Sequence, residues 1–191
     1  MKKTILFIVF VLPLAISGQI IEKGYHGFVE GGYAVNTGGT ISINWAEVNT
    51  IHGYQVNPNI FVGAGLGIHF TPEFKGNEIG GLPHWRRGNK IEKPIFANFR
   101  WTMLNKKVTP LVDLRLGHNL SNGSGMYGSA GLGCRFALKK NKALYFVVSY
   151  TSHKLKFEES YLISYRDYYS WGYKEIKQEQ TAVSARIGFE F

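Results

Sequence analysis

The chain has little that could cross-link it, hold a metal or bind a nucleotide. Its 191 residues include one cysteine, Cys134, so no disulfide can form within the chain. Its six histidines lack the spacing of metal ligands. The glycines at 63, 65 and 67 lack the last glycine of a dinucleotide fingerprint, and no helical pattern follows them. The sequence therefore predicts no metal site and no cofactor.

Long apolar runs are scarce as well. One spans residues 5–16, after Lys2 and Lys3 and before the small residues Ser17 and Gly18. A basic start, a short apolar core and small residues form the layout of a secretory signal, and the run is shorter than the ~20 residues of a membrane-spanning helix. We expect residues 1–18 to be a signal peptide and residues 19–191 to form one domain.

Acidic residues are fewer than basic ones. The 22 Lys and Arg face 13 Asp and Glu, for a net charge of +9, which falls to +7 without Lys2 and Lys3. A secreted chain rarely meets nucleic acid, and no basic helix or aromatic RNA-binding pattern accompanies the surplus. The charge therefore favours anionic membrane lipid, including lipopolysaccharide, as the partner and argues against nucleic acid.

Two-residue alternation dominates the rest of the chain. In the last segment Val183, Ala185, Ile187 and Phe189 share one parity and oppose polar or small residues, as in a strand with one apolar face. Eight such segments are predicted strands: 24–36, 40–56, 60–74, 94–104, 109–120, 126–138, 143–157 and 175–191. The pattern predicts an all-β fold, an eight-stranded antiparallel up-and-down transmembrane β-barrel.

Charges within these strands are few, carry both signs and share the parity of the glycines. The predicted members are Glu30, Arg100, Asp113, Arg115, Arg135, Arg186 and Glu190. Eight strands leave an interior that side chains only just fill, so glycines and paired charges fit the inside of a narrow barrel. We interpret these residues as a charge network in the lumen. A soluble barrel with a charged outer face is the open alternative.

The opposite, apolar parity carries aromatic residues near the strand ends. These are Tyr25, Tyr33, Phe70, Trp101, Tyr150, Phe189 and Phe191. Such rings favour the two interfaces of a membrane, although core packing in a soluble barrel is an alternative. Connections at 57–59, 105–107 and 139–142 are short, whereas those at 75–93 and 158–174 are long, which is typical of an outer-membrane barrel. Glu47 breaks the pattern of strand two, and we expect a bulge near Ala46.

Several segments resemble a known protein group. They are Gln19 after the signal, G-F-V-E-G-G-Y-A from Gly27, T-I-H-G-Y-Q-V-N-P from Thr50 and G-A-G-L-G from Gly63. With them the chain resembles the small outer-membrane β-barrel proteins of Bacteroidetes-type bacteria. Its ending G-F-E-F is similar to the aromatic-terminated last strand that the barrel assembly machinery recognises in such proteins. The resemblance implies a fold and a location in the bacterial outer membrane, not an activity.

The long connections are the expected place of function. Segment 75–93 holds the candidate lipopolysaccharide contacts Lys75, Arg86, Arg87, Lys90 and Lys93, or is simply a solvated loop. Segment 154–180 is rich in tyrosine and is either an adhesive loop or a hairpin that continues the last two strands. We expect a monomer with a structural or surface-interaction role and an unknown extracellular ligand.

Two other functions stay open. His118 with Ser121 and Ser124 near the outer ends of two strands would suit a lipid A acyl hydrolase or acyltransferase, but no carboxylate lies nearby in sequence to orient the histidine. A narrow pore is the other alternative, and eight strands leave little room for one. We assign no catalytic residues and expect no enzyme.

Overall fold

The computed structural model describes residues 21–38, 42–75, 78–79, 82–83, 85–88, 90–121, 125–138, 142–165 and 168–191. The predicted signal peptide lies outside them. Every regular element in these ranges is a β-strand. None of the described residues forms a helix long and apolar enough to cross a membrane.

Eight long strands form a closed antiparallel barrel. They are β1 (Gly24–Gly38), β2 (Trp45–Asn57), β3 (Ile60–Thr71), β9 (Pro94–Thr102), β10 (Val108–Asn119), β11 (Met126–Ala137), β12 (Ala143–Tyr165) and β13 (Tyr168–Glu190). Each pairs with the next, and β13 pairs with β1 to close the ring. The predicted eight-stranded antiparallel barrel is confirmed.

Five short strands lie between β3 and β9. They are β4 (Phe74–Lys75), β5 (Glu78–Ile79), β6 (Leu82–Pro83), β7 (Trp85–Arg87) and β8 (Lys90–Glu92). They lie at the end of the barrel that is opposite Gly24, where β1 begins, and Glu190, where β13 ends. We call this end the loop end. The opposite end, with the connection at 57–59, is the turn end.

The stagger of the strands sets the shape of the barrel. Following the register once around the ring from Tyr25 leads to Val35 on the same strand, a shift of ten residues. With a rise of about 3.3 Å per residue and strands about 4.8 Å apart, this shift corresponds to a tilt of about 40°. Such a barrel is narrow enough for side chains to fill.

The two faces of the barrel wall differ in polarity, and the inside is the polar one. On the outer face Leu116, Leu132 and Ile187 are more than 60% exposed, whereas inside Asp113 and Arg186 are fully buried. β9 shows the alternation without a break, with every second residue exposed. A soluble barrel would place its apolar side chains inside and its charges outside.

Aromatic and aliphatic side chains fill the lumen between the polar groups. Phe28, Ile51, Phe61, Phe96, Leu111, Tyr127, Tyr145 and Val147 form one buried cluster. The rings of Phe28 and Phe61 meet edge to face, with 4.8 Å between their centroids. Glycines on the inner face make room for these rings.

The bulge that we expected near Ala46 is absent. β2 pairs with β1 in unbroken register from Trp45 to Gln55, and the irregularity lies at Gln55 and Asn57, beside the turn. Trp45 points inward like Glu47, and its ring centroid is 4.3 Å from that of His153. The prediction was wrong because the loop-end part of the lumen buries apolar as well as polar side chains.

β12 and β13 continue past the barrel as a hairpin. Their register runs without interruption to Tyr165 opposite Tyr168, so of the two alternatives for segment 158–174, a loop or a hairpin, the structure has the hairpin. Residues 166–167 lie outside the described residues. β7 pairs with β12 at Glu158 and Glu159, and β4 pairs with β7. We call this four-stranded sheet, with β12 and β13 counted between Lys154 and Gln180, the loop-end extension.

Candidate functional site

The centre of the lumen holds a charge network built from four strands. Arg115 on β10 donates two hydrogen bonds to Glu30 on β1, from Nη1 to Oε1 at 2.5 Å and from Nη2 to Oε2 at 2.8 Å. Its Nε donates to Asp113 at 2.7 Å, and Arg100 on β9 donates to the same carboxylate at 2.7 Å. Such bidentate, charge-assisted pairs offset the cost of burying the charges.

Arg186 on β13 completes the centre of the network. Its Nη2 donates to Ser129 and Ser149 at 3.0 and 2.7 Å. Its guanidinium lies 3.9 Å from Glu30 and 3.7 Å from Asp113. Arg186 therefore ties the closing strand to the charges of β1 and β10.

A second charge cluster lies at the turn end. Arg135 on β11 donates to Glu190 on β13 through Nε at 2.6 Å and Nη2 at 3.1 Å. His26 on β1 contacts the same carboxylate through Nδ1 at 3.0 Å. The structure thus places all seven residues of the predicted network inside the barrel, in two separate clusters.

The sequence interpretation missed Glu47 and Glu92. Glu47 is buried, accepts a hydrogen bond from Ser184 and lies 3.4 Å from His69. Glu92 is buried, pairs with Arg87 and accepts a bond from Asn119 at 2.6 Å. Glu47 shares its parity with Asn49 and Ile51, which would have predicted its place on the inner face. The expected bulge near Ala46 led us to disregard this parity.

Buried arginines and buried carboxyl side chains are equal in number. Among the described residues they are Arg87, Arg100, Arg115, Arg135 and Arg186 against Glu30, Glu47, Glu92, Asp113 and Glu190, and no lysine is buried. The planar guanidinium presents five donors that match two carboxylates at once, which a lysine ammonium cannot do. The interior is therefore built for internal pairing.

The described residues leave little free space at the turn end of the lumen. At the turn end, Ile21 and Tyr145 help to line a cavity of about 10 Å³, roughly the space of one water molecule. We therefore expect planar bilayers containing the protein to show no steady conductance. Stable open-channel currents from purified protein, absent from detergent-only controls, would contradict a closed lumen.

The seven predicted interface aromatics lie at both ends of the outer face. Tyr25, Trp101, Phe189 and Phe191 are near the turn end, and Tyr33, Phe70 and Tyr150 near the loop end. Tyr25 and Tyr33 are eight residues apart on β1, which at the tilt above is about 20 Å along the barrel axis.

The candidate lipopolysaccharide contacts divide into paired and free cations. The prediction that Arg87 contacts lipopolysaccharide was wrong, because its side chain is buried against Glu92 and the carbonyl of Lys156 and cannot reach a lipid. Burial lowers the pKa of its guanidinium, and Glu92 raises it in part. Arg86 donates to Glu158 at 2.6 Å and stacks on Tyr173, and Lys75 pairs with Glu73.

The remaining two candidates, Lys90 and Lys93, are exposed at the loop end. Neither ammonium has an acidic partner among the described residues. The hydrogen bonds of Lys93 to Asn119 and Ser121 come from its backbone.

The loop-end extension has its own small core. Leu155 and Phe157 on β12 are buried with Ile43, and Phe74 and Ile176 pack against them. Arg87 lies over the ring of Phe157, 5.5 Å from its centroid. This core packs Ile43, which precedes β2, against the part of the hairpin that leaves the barrel.

Among the described residues of the possible lipid A enzyme, no hydrogen bond joins His118 to Ser121. His118 is exposed on the outer face, and the hydroxyl of Ser121 donates to the carbonyl of Ile91 at 3.1 Å. Ser124 lies outside the described residues. Within the part of the chain that the structure describes, no group of three or more His, Cys, Asp or Glu side chains could hold a metal ion.

No protein-family model matches the chain, and no curated protein matches it.

Proposed function

We propose that the chain is an outer-membrane β-barrel with a lumen closed by side chains, and that it acts at the cell surface through its loop-end extension. The observation that carries the proposal is the inverted polarity of the wall. Leucine, valine and aromatic side chains cover the outer face while ten Arg, Asp and Glu side chains are buried. Lipid is the solvent in which this arrangement is stable, and a closed barrel leaves no unpaired strand edge within it.

The dimensions of the wall fit a bilayer. β9, the shortest barrel strand, has nine residues, which at a tilt of about 40° rise about 22 Å. Outer-membrane barrels carry an apolar band of about 25 Å. β9 therefore falls about 3 Å short of that band, whereas the other seven barrel strands have at least 12 residues and rise about 30 Å or more.

The outer face changes polarity at one height on the last two strands. Along β12 it passes from Tyr150 through Ser152 to Lys154, and along β13 from Val183 through Thr181 to Glu179. Lys154 and Glu179 are opposite each other in the register. This boundary supports an apolar band that ends where the loop-end extension begins.

The loop-end extension offers the features of an interaction surface. β1 pairs with β13 only as far as Gly38 and Thr181, and beyond that point the described residues of β13 pair with β12 alone. Among the described residues no strand pairs with this edge of the hairpin, and such an edge is one that another strand can pair with. Tyr161 and Tyr173 are exposed nearby, while the side chains of Tyr165, Tyr168 and Tyr169 lie outside the described residues.

Fractionation and cysteine labelling test the proposal together. We expect the protein in the outer-membrane fraction, released only by detergent. In a Cys134→Ser background, Lys177→Cys on the extension should react with a membrane-impermeant maleimide on intact cells. Lys107→Cys at the turn end is the matched control and should react only after permeabilisation.

Two results would overturn the proposal. Recovery of the mature chain from the periplasm without detergent would contradict a membrane-spanning barrel. Labelling of Lys107→Cys but not Lys177→Cys on intact cells would place the loop-end extension inside and refute its role at the surface.

A further inference from the structure

A groove on the outer face lies at the loop end of the apolar band. Tyr33, Ala46, Phe70 and Ile91 lie side by side on β1, β2, β3 and β8 in the register of the sheet. Ala46 has only a methyl group, so it forms the floor between the larger side chains. Tyr33, Phe70 and Ile91 are each about half exposed, and the groove has a volume of about 560 Å³. That volume is in the range of ligand sites.

The groove has an apolar and a polar end. Toward the middle of the band it continues onto Val48 and Ile68, which are 49% and 45% exposed. Toward the loop end it is bordered by Asn44 and Lys90. An occupant must therefore have an apolar part that points into the band and a polar part at its edge.

Lys90 defines the charge of the polar part. Its side chain is exposed, and its ammonium has no acidic partner among the described residues. Of the other candidate cations, Lys75 pairs with Glu73, Arg86 with Glu158 and Arg87 with Glu92. Lys93 has no acidic partner among the described residues, but it does not line the groove. Lys90 is thus a cation beside an apolar groove that is free to meet an anionic headgroup.

We propose that this groove binds lipid A, with one acyl chain over Ala46 between Tyr33 and Phe70 and a phosphate at Lys90. The assignment of lipid A rather than a phospholipid rests on the proposed function, which places the loop end at the outer surface. The groove is a lipid-binding site on the wall and involves neither the lumen nor the hairpin edge.

Native mass spectrometry of the purified full-length mature protein in micelles tests the site. The probes are bis-phosphorylated lipid A, dephosphorylated lipid A and phosphatidylglycerol. We expect retention of one lipid A, and about five-fold weaker binding in Lys90→Gln, because a lysine near a headgroup contributes a factor of that order. Ala46→Leu fills the floor of the groove. It should weaken the binding of both bis-phosphorylated and dephosphorylated lipid A about ten-fold. Lys90→Gln should not change binding of the dephosphorylated lipid.

Matched controls separate the groove from general effects. Ala64→Leu adds the same volume to another exposed alanine of the outer face, and Lys107→Gln removes an exposed lysine at the turn end. Both should bind lipid A like the wild type.

Equal binding by Ala46→Leu, Lys90→Gln and the wild type would refute the site. Phosphatidylglycerol binding as tightly as lipid A would refute the choice of lipid. Either failure leaves fractionation and labelling unchanged, so it is distinguishable from a failure of the proposed function.

Discussion

Glu30→Gln is expected to destabilise the folded barrel by about 3–5 kcal/mol, the cost of removing one partner from a buried ion pair. Glu30 is the acceptor for Arg115 at two oxygens, for Asn49 at 2.9 Å and for Tyr145 at 2.9 Å. A glutamine has similar shape but no charge, so Asp113 would remain as the nearest carboxylate for three buried guanidinium groups. The loss is a large part of the 5–15 kcal/mol that stabilises a typical domain.

Urea unfolding of the protein in lipid vesicles measures this effect, with gel mobility of the unheated sample as the readout. Glu175→Gln is the matched control, because Glu175 pairs with Lys156 at the surface and is 62% exposed. Its effect should stay below about 1 kcal/mol. The double variant Glu30→Gln with Arg115→Gln removes one charge of each sign. Its loss in free energy of unfolding should be smaller than the sum of the losses of the two single variants. A Glu30→Gln barrel as stable as the control would show that the network does not stabilise the fold.

The network was predictable because strand periodicity is simple. Successive side chains of a strand point to opposite faces, so residues such as Arg186 and Glu190 had to share a side once the last segment was assigned as a strand. Which partners they meet was not predictable. Arg186 reaches Asp113 and Glu30, whereas Glu190 joins Arg135 and His26 at the turn end. These distances depend on the ten-residue stagger, which no local pattern contains.

The structure of the loop-end extension could not be predicted from the local sequence pattern. Segment 158–174 has polar and aromatic residues that fit a loop or a strand, and only the pairing of β12 with β13 and β7 decides for a strand. Arg86 and Arg87 show the consequence. As neighbours on β7 they point to opposite sides, so one is exposed against Glu158 and the other buried against Glu92. Two equal candidates for lipid contact became one surface residue and one interior residue.

Gly53→Val is expected to prevent the barrel from closing normally, with a loss of about 3 kcal/mol or more. Gly53 lies on the inner face of β2 directly opposite Gly63 on β3. A Cβ atom at Gly53 would collide with the carbonyl oxygen of Val62 and the Cα of Gly63, and would lie 2.6 Å from the ring of Phe61. The ring could turn away, but the two backbone atoms belong to the hydrogen-bonded ladder and cannot move without breaking it. Refolding into vesicles and urea unfolding give the measurement.

Gly31→Val is the matched control, since it makes the same change on the outer face of the neighbouring strand. A Cβ there meets nothing closer than the carbonyl oxygen of Glu47 at 3.9 Å, so its effect should be within about 0.5 kcal/mol. If Gly53→Val does not fold at all, Gly53→Ala provides a graded test, because it adds only the colliding atom. Adding Phe61→Ala to Gly53→Ala should not restore stability if the backbone contact dominates. Full recovery by that second change would instead assign the need for glycine to the ring, and a Gly53→Val barrel as stable as Gly31→Val would refute the close approach of β2 and β3.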